Sequence, residues 1–582
     1  VSLQTNKDLT SADKTLRRSH DTPSDAQIKS LSQQLRNELA ATGDIHGWTS
    51  FLLLDQLDQI DSLVDYSDRA LLAQRFLSRL NYQGLSGSHV QWLQRDSVQE
   101  LATALHPMTI KPIDYVELLA DIERQEADSI DLAMLKVTDA FQSLRFTDDL
   151  ALVRVAKAID LNYRNANVRT AISADLLDRL LPAVPDQSAP IATTILGSRV
   201  RGQSNTSTDL GIRLLPSDDS WRLELLSQGS VSTRSVGVQS GVSMRTIGDS
   251  QFVATTPIEI AATGAQIGST HVSVQGGNRL RGIDTRYDGW PLLGPLVRSI
   301  AESRYAEAKP VAQRISDTKI RLRVTTELQT TLNKQADQAS KRLDDLVFGP
   351  LGQLNLNPRV IDQETTPTRL IARYRIAGDW QLAAHTPRPR AYSDSWMSVQ
   401  IHQSAVNNLL ERLLPQEESK TFEALFDETL SLFGSAERTL PDDVPADAEI
   451  RFAGTRPITL EIEDGKLWLT FRVVSLTQPG SPVLRRFIVR AAYRPMVDGL
   501  DAHLIRDGHL RISGPGMSMR QRLPVRAIFN KVLAEDRFLP LTLPRLHQHP
   551  AISDLVVTQL ELRDGWLALA IGPGEVPRVA SR

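Results

Sequence analysis

From residue 24 onward apolar positions recur at helical spacing. Ile28, Leu31, Leu35 and Leu39 follow Ser24, a residue type that caps helix starts. The period continues through segments 51–64, 70–80, 98–105, 114–122, 131–141, 150–161 and 171–181, which Gly, Pro or Asn/Asp clusters separate. It predicts an α-helical domain over residues 24–181, without a fixed repeat length. The stretch Pro182-Ala-Val-Pro-Asp-Gln-Ser-Ala-Pro190 then breaks the pattern, and the period behind it is two. Ile212/Leu214, Trp221/Leu223/Leu225, Val236/Val238, Phe252/Ala254, Ile258/Ile260 and Val272/Val274 alternate with polar residues, as in an antiparallel sheet with one wet face.

Residues 296–347 read as one very long helix, interrupted near Pro310, with Leu328, Leu332, Ala336, Ala339, Leu343 and Leu346 along one stripe. Such a helix after such a sheet implies that the sheet wraps it, or that it spans two domains. Strand signals return at 369–376, 380–383 and 396–401. Helices are expected at 405–414, led by Ser404, at 422–433 and at 525–533.

Near the C-terminus one hairpin is written twice, with Leu460/Ile462 and Leu467/Leu469 around Asp464-Gly465, and Leu560/Leu562 and Leu567/Leu569 around Asp564-Gly565. Asp-Gly supplies the two φ > 0 residues of a type I′ turn. A third, weaker copy centres on Asp507-Gly508 and would set His503 opposite His509. Strands and helices are segregated, which is the α+β class: an N-terminal all-helical domain, then curved antiparallel sheets packed around long helices. The expected units are a disordered leader at 1–23, the α-helical domain at 24–181, a sheet with a long helix at 191–385, and a second α+β module at 386–582.

Composition narrows the function by exclusion. A net charge of −3 and the lack of a basic stripe interleaved with aromatics argue against nucleic acid. No apolar run is long enough to span a bilayer as a helix. The absence of cysteine removes disulfides and thiolate chemistry and favours an oxidising envelope compartment, so a removed signal or anchor is expected.

No nucleophile elbow, zinc-protease helix, Walker loop or dinucleotide fingerprint is present. His547-Gln-His549 offers half a metal site, but the flanking Pro544 and Pro550 favour a solvated loop. Asp44-Ile-His46 reads as a helix-leading loop rather than an acid–base pair. Arg485, Arg486, Arg490 and Arg494 form the densest basic cluster in sequence; they suit either acidic headgroups or, more simply, a wet sheet face. No catalytic residue, metal or cofactor is therefore expected, and the protein reads as a non-enzyme.

Residues 396–571 resemble bacterial members of the tubular lipid-binding superfamily, the SMP-like and BPI-like group. The resemblance lies in a strand running into a helix, Val399-Gln-Ile-His-Gln-Ser404-Ala-Val-Asn-Asn-Leu409-Leu410, then a meander of long strands, a short helix and a closing strand. Residues 193–384 resemble a diverged second copy with its long helix after the strands. The resemblance implies a curved sheet rolled around a helix, with lipid acyl chains inside. It further implies Leu409, Leu410 and Leu413 as ligand-binding residues. The expected partners are a lipid or hydrophobic small molecule, a membrane surface and a protein docked on the helical domain, in the cell envelope or periplasm. The rival expectation is an envelope scaffold with packed cores and no ligand.

Overall fold

The computed structural model describes residues 23–574 apart from 43–44, 83–84, 112, 129–133, 263, 291–292, 355, 357, 415–417, 433–439, 543–548 and 551. Apart from Pro23, the expected leader lies outside them. Helices from Asp25–Thr42 to Leu150–Tyr163 build two cores. One buries Ile28, Leu35, Leu39, Phe76 and Leu101; the other buries Val137, Phe141, Leu152 and Ile159 with Leu382 from far along the chain. Aspartates start three of these helices. Asp65 accepts from the Ser67 amide, Asp114 from the Val116 and Glu117 amides and Asp149 from the Ala151 amide, satisfying donors that have no partner within the helix.

The helical run ends sooner than the sequence predicts. Val168–Ser173 is a strand and only Ala174–Leu180 is helical, with Ser173 as its cap. The strand stands inside a six-stranded antiparallel sheet, in the order Val556–Arg563, Trp566–Gly572, Met397–His402, Val168–Ser173, Arg369–Arg375 and Arg359–Thr365. Likewise, the end of the expected break belongs to the strand Gln187–Ile195, which tolerates Pro190 because it lies at a sheet edge.

The middle of the chain forms a curled half-barrel. Gln187–Ile195, Ser198–Leu214, Trp221–Gln239 and Val242–Ala261 pair in sequence order, and His271–Thr285 pairs back on the last of them. The helix Leu293–Leu343 lies along it and runs unbroken through Pro310. Ala301 and Val324 are buried on either side of the proline, and Val324 packs on Val231, Phe252 and Ala254 of the sheet. The predicted stripe extends further than the packing: Leu328 packs and Leu332 and Ala336 are half-buried, whereas Ala339 and Leu343 are exposed. The side chain of Leu346 lies outside the description.

A third sheet, built largely from Lys466–Thr477, Leu484–Asp498 and Asp501–Arg506, covers the helices Phe422–Leu432 and Met519–Val532. Phe529 meets Phe471 and Phe487 edge-on at 5.5 and 6.4 Å between ring centroids. Both repeated Asp-Gly turns have the expected left-handed pair, with φ of 52° and 71° at Asp464 and Gly465 and 50° and 82° at Asp564 and Gly565. They sit in different sheets, and the Gly565 amide donates to the Ile462 carbonyl at 3.2 Å. The third copy is not a hairpin. Asp501–Arg506 and Arg511–Ser513 both pair with Leu484–Asp498 instead of each other, and His503 faces Met496 and Pro540 rather than His509.

Candidate ligand-binding site

Between the half-barrel and the long helix lies a cavity of about 610 Å³. Small side chains on both walls create it. The sheet contributes Ser204, Thr206, Thr233, Ser235, Gly237 and Thr246, and the helix contributes Ala301, Ala308, Ala312 and Ser316. Where bulkier residues meet, the gap closes: Val231, Phe252, Ala254 and Val324 pack with Ile320 and Leu328. The volume falls within the roughly 300–1,000 Å³ typical of small-molecule sites.

The hydroxyls of the sheet wall are largely used within the sheet. Ser204 donates to the Ala189 carbonyl at 3.2 Å and Thr233 to the Gly248 carbonyl at 3.3 Å, while Ser235 and Thr246 bond each other at 2.9 Å. The wall therefore turns mainly carbon toward the cavity, alongside Ile191, Val200 and Met244, with Ile300 on the helix. The Tyr305 hydroxyl, on the helix side, is buried without a hydrogen-bond partner. Burial pushes its pKa up, so it stays a neutral donor at ordinary pH. Arg304, Lys309, Lys319 and Arg323 flank the helix side, with Glu327 as the acidic group near Arg323. The lining suits an amphiphile: a carbon-rich trough with cations along one margin.

Leu409, Leu410 and Leu413 are half-buried on the helix Gln403–Leu413 and do not line this cavity. That helix closes an edge instead. Asn407 exchanges hydrogen bonds with both backbone groups of Leu460, and Gln403 accepts from the Ile462 amide at 2.8 Å. These bonds occupy the free side of the strand Ile458–Glu463, which would otherwise be open to pairing with another chain.

Beneath the same helix is a polar chamber of about 50 Å³ lined by His385, His402, Ser404, Asn408 and Glu411 among others. His402 is wholly buried and caps the helix, its Nδ1 accepting from the Ser404 amide at 3.2 Å and lying 2.8 Å from Ser404 Oγ. Nδ1 is thus the acceptor and the ring proton sits on Nε2, which has no partner. Burial, and then the neighbouring His385, push the His402 pKa down to about 3. The Ser–His contact has the geometry of a nucleophile with its base. Yet no carboxylate orients Nε2, and the space admits only a few waters at about 10–15 Å³ each.

The polar interior continues to the helical domain. Arg164 and Arg375 are buried, and Arg375 reaches Asp160 at 2.7 Å and the Arg164 carbonyl at 2.7 Å. Arg164 lies over the Phe141 ring at 4.7 Å and donates to the Asp379 carbonyl at 3.0 Å, so that it and Arg375 tie the helices to the segment around the strand Arg369–Arg375.

The other sequence candidates fall elsewhere. Asp44 and His547 are outside the described residues, and among those described no cluster of three His, Asp or Glu is placed to hold a metal. Arg490, the centre of the basic cluster read from sequence, pairs with Glu461 at 2.8 Å and stacks on Trp468 at 4.4 Å. The cavity itself was not read from sequence. Its signal was the run of Ser, Thr and Gly at inward positions of strands opposite the alanines of the helix.

No protein family and no curated protein matches the chain. Among solved structures, one described as a lipopolysaccharide binding protein aligns with 71% of this chain and 100% of its own, at 13% identity and a TM-score of 0.25.

Proposed function

We propose that this chain is a non-enzymatic envelope protein that carries a lipid or similar amphiphile between the half-barrel and the long helix. The supporting observation is the cavity of about 610 Å³, carbon-rich on its sheet wall and bordered by cations on its helix side. An acyl chain laid in it gains about 0.8 kcal/mol per CH₂ withdrawn from water. Tyr305 and the flanking cations would hold the polar end. The cysteine-free composition supports the envelope setting.

The test is to fill the trough from its helix wall. Ala312→Trp, at a half-buried position facing empty space, should leave the melting temperature within a few degrees. It should cut binding of a fluorescent phospholipid at least tenfold. A large fall in melting temperature would instead mean that the site is packed solid, since inserting bulk into a filled core costs about 1–3 kcal/mol. That outcome, with no probe bound by the parent protein, would favour a scaffold without a ligand.

A further inference from the structure

The arginines of the half-barrel gather at one end of its outer face. Arg201, Val236 and Arg245 share one rung of the sheet, Arg234, Ile247 and Arg279 the next, and Arg199 stands opposite Val238. All five arginines are exposed, and strands about 5 Å apart leave the charges crowded. Asp284, 3.0 Å from Arg245, and Asp249 one rung beyond Ile247 offset them only in part. The opposite end of the same strands carries Asp209, Asp218, Asp219, Glu224 and Glu259 against Arg213 and Arg222. That end is tied to the neighbouring sheet, with Trp221 Nε1 donating to the Ile371 carbonyl at 2.7 Å. Among the described residues the basic end is the one left exposed.

Apolar groups accompany the arginines. Val236 and Val238, whose alternation suggested an inward face, point outward because Thr233, Ser235 and Gly237 take the cavity side. At the tip, Leu196 is exposed in the turn, and the entry to the long helix exposes Tyr287, Trp290 (62%), Leu293 and Leu296 (56%). A purely polyanionic partner would use the arginines and leave these side chains without a role. A bilayer uses both, because aromatic and aliphatic groups settle at the headgroup boundary while arginines meet anionic lipid.

We propose that this exposed end docks on an anionic lipid bilayer. The cavity reaches the same end, where Leu196, Ser240 and Ile300 line it, so cargo could pass to the membrane there. This last step rests on the proposed carrier function; the docking does not.

Flotation with vesicles tests it. The protein should bind phosphatidylcholine vesicles containing about 30% phosphatidylglycerol and not phosphatidylcholine alone. Raising salt from about 0.05 to about 0.5 M should release it. Joint Arg201→Glu, Arg234→Glu and Arg279→Glu should weaken binding on the order of a hundredfold. Joint Trp290→Ala and Leu296→Ala should weaken it about tenfold with the salt response unchanged. Lys341→Glu with Arg342→Glu, an equal kind of change far along the helix, should have no effect, and melting curves would confirm that each variant folds. Ala312→Trp should still float, which separates failure of docking from failure of the carrier reading. Equal binding to both vesicle types, or flotation of the triple variant like the parent, would overturn the proposal. An unchanged Trp290/Leu296 variant, with an oligonucleotide bound as tightly as vesicles, would replace the bilayer by a polyanion.

Discussion

Gly565→Val is expected to destabilise the protein by about 3 kcal/mol or more, well beyond Gly508→Val at the third Asp-Gly pair. Both glycines are left-handed, with φ of 82° and 76°, so each variant bears the roughly 1–2 kcal/mol that a Cβ costs there. At Gly565 that Cβ also meets the buried His402, 2.7 Å from Nε2, with Gln403 at 3.3 Å, whereas at Gly508 nothing lies within 4 Å. His402 is fixed by Ser404 and has nowhere to go, so overpacking adds about 1–3 kcal/mol. Chemical denaturation of both variants checks this. Equal losses would mean that the contact with His402 yields without cost.

Acid should destabilise the fold through the same histidine. In the folded protein His402 stays neutral down to about pH 3, while in the unfolded chain it takes up a proton near its ordinary value of 6.5. The unfolded state therefore binds more protons between these limits, and stability falls as pH drops through that window. The slope approaches about 1.4 kcal/mol per pH unit once the unfolded histidine is protonated, which gives about 2.3 kcal/mol from pH 6.5 to 4.5. His402→Asn keeps a capping acceptor for the Ser404 amide but does not titrate. Its unfolding free energy should lose less than the parent's by that amount over the same range. Parallel curves would show that His402 is solvated and titrates freely.

How far the fold could be read from the chain depended on the range of the forces involved. The Asp-Gly hairpins were legible because turn geometry and alternation are local, and both copies have the expected backbone. The third copy failed because Asp501–Arg506 and Arg511–Ser513 each found a better partner in Leu484–Asp498. Val168–Ser173 was hidden for a related reason. Its neighbours, Arg369–Arg375 and Met397–His402, lie some two hundred residues away, and no local pattern records such pairing.

The site was less legible than the fold. Apolar residues were expected inward, which placed Val236 and Val238 on the covered face. The structure reverses them because Leu223, Leu225 and Val231 set the inward parity and Thr233, Ser235 and Gly237 continue it. A binding cavity is a place where side chains stop short of filling space. Hydrophobicity patterns mark filled cores; Leu409, Leu410 and Leu413 came from the family resemblance, whereas small residues facing one another across the middle module mark the opening of the cavity. The general picture of a curved sheet along a long helix holds for residues 187–343.

The most direct measurement is photo-cross-linking with a phospholipid that carries a diazirine in its acyl chain, followed by peptide mapping. Adducts should fall on the helix between Ala301 and Val324 and on the facing strands near Val231 and Met244, and Ala312→Trp should abolish them. Adducts confined to Gln403–Leu413, or none above the level given by free solution labelling, would contradict a lipid held between the half-barrel and the helix.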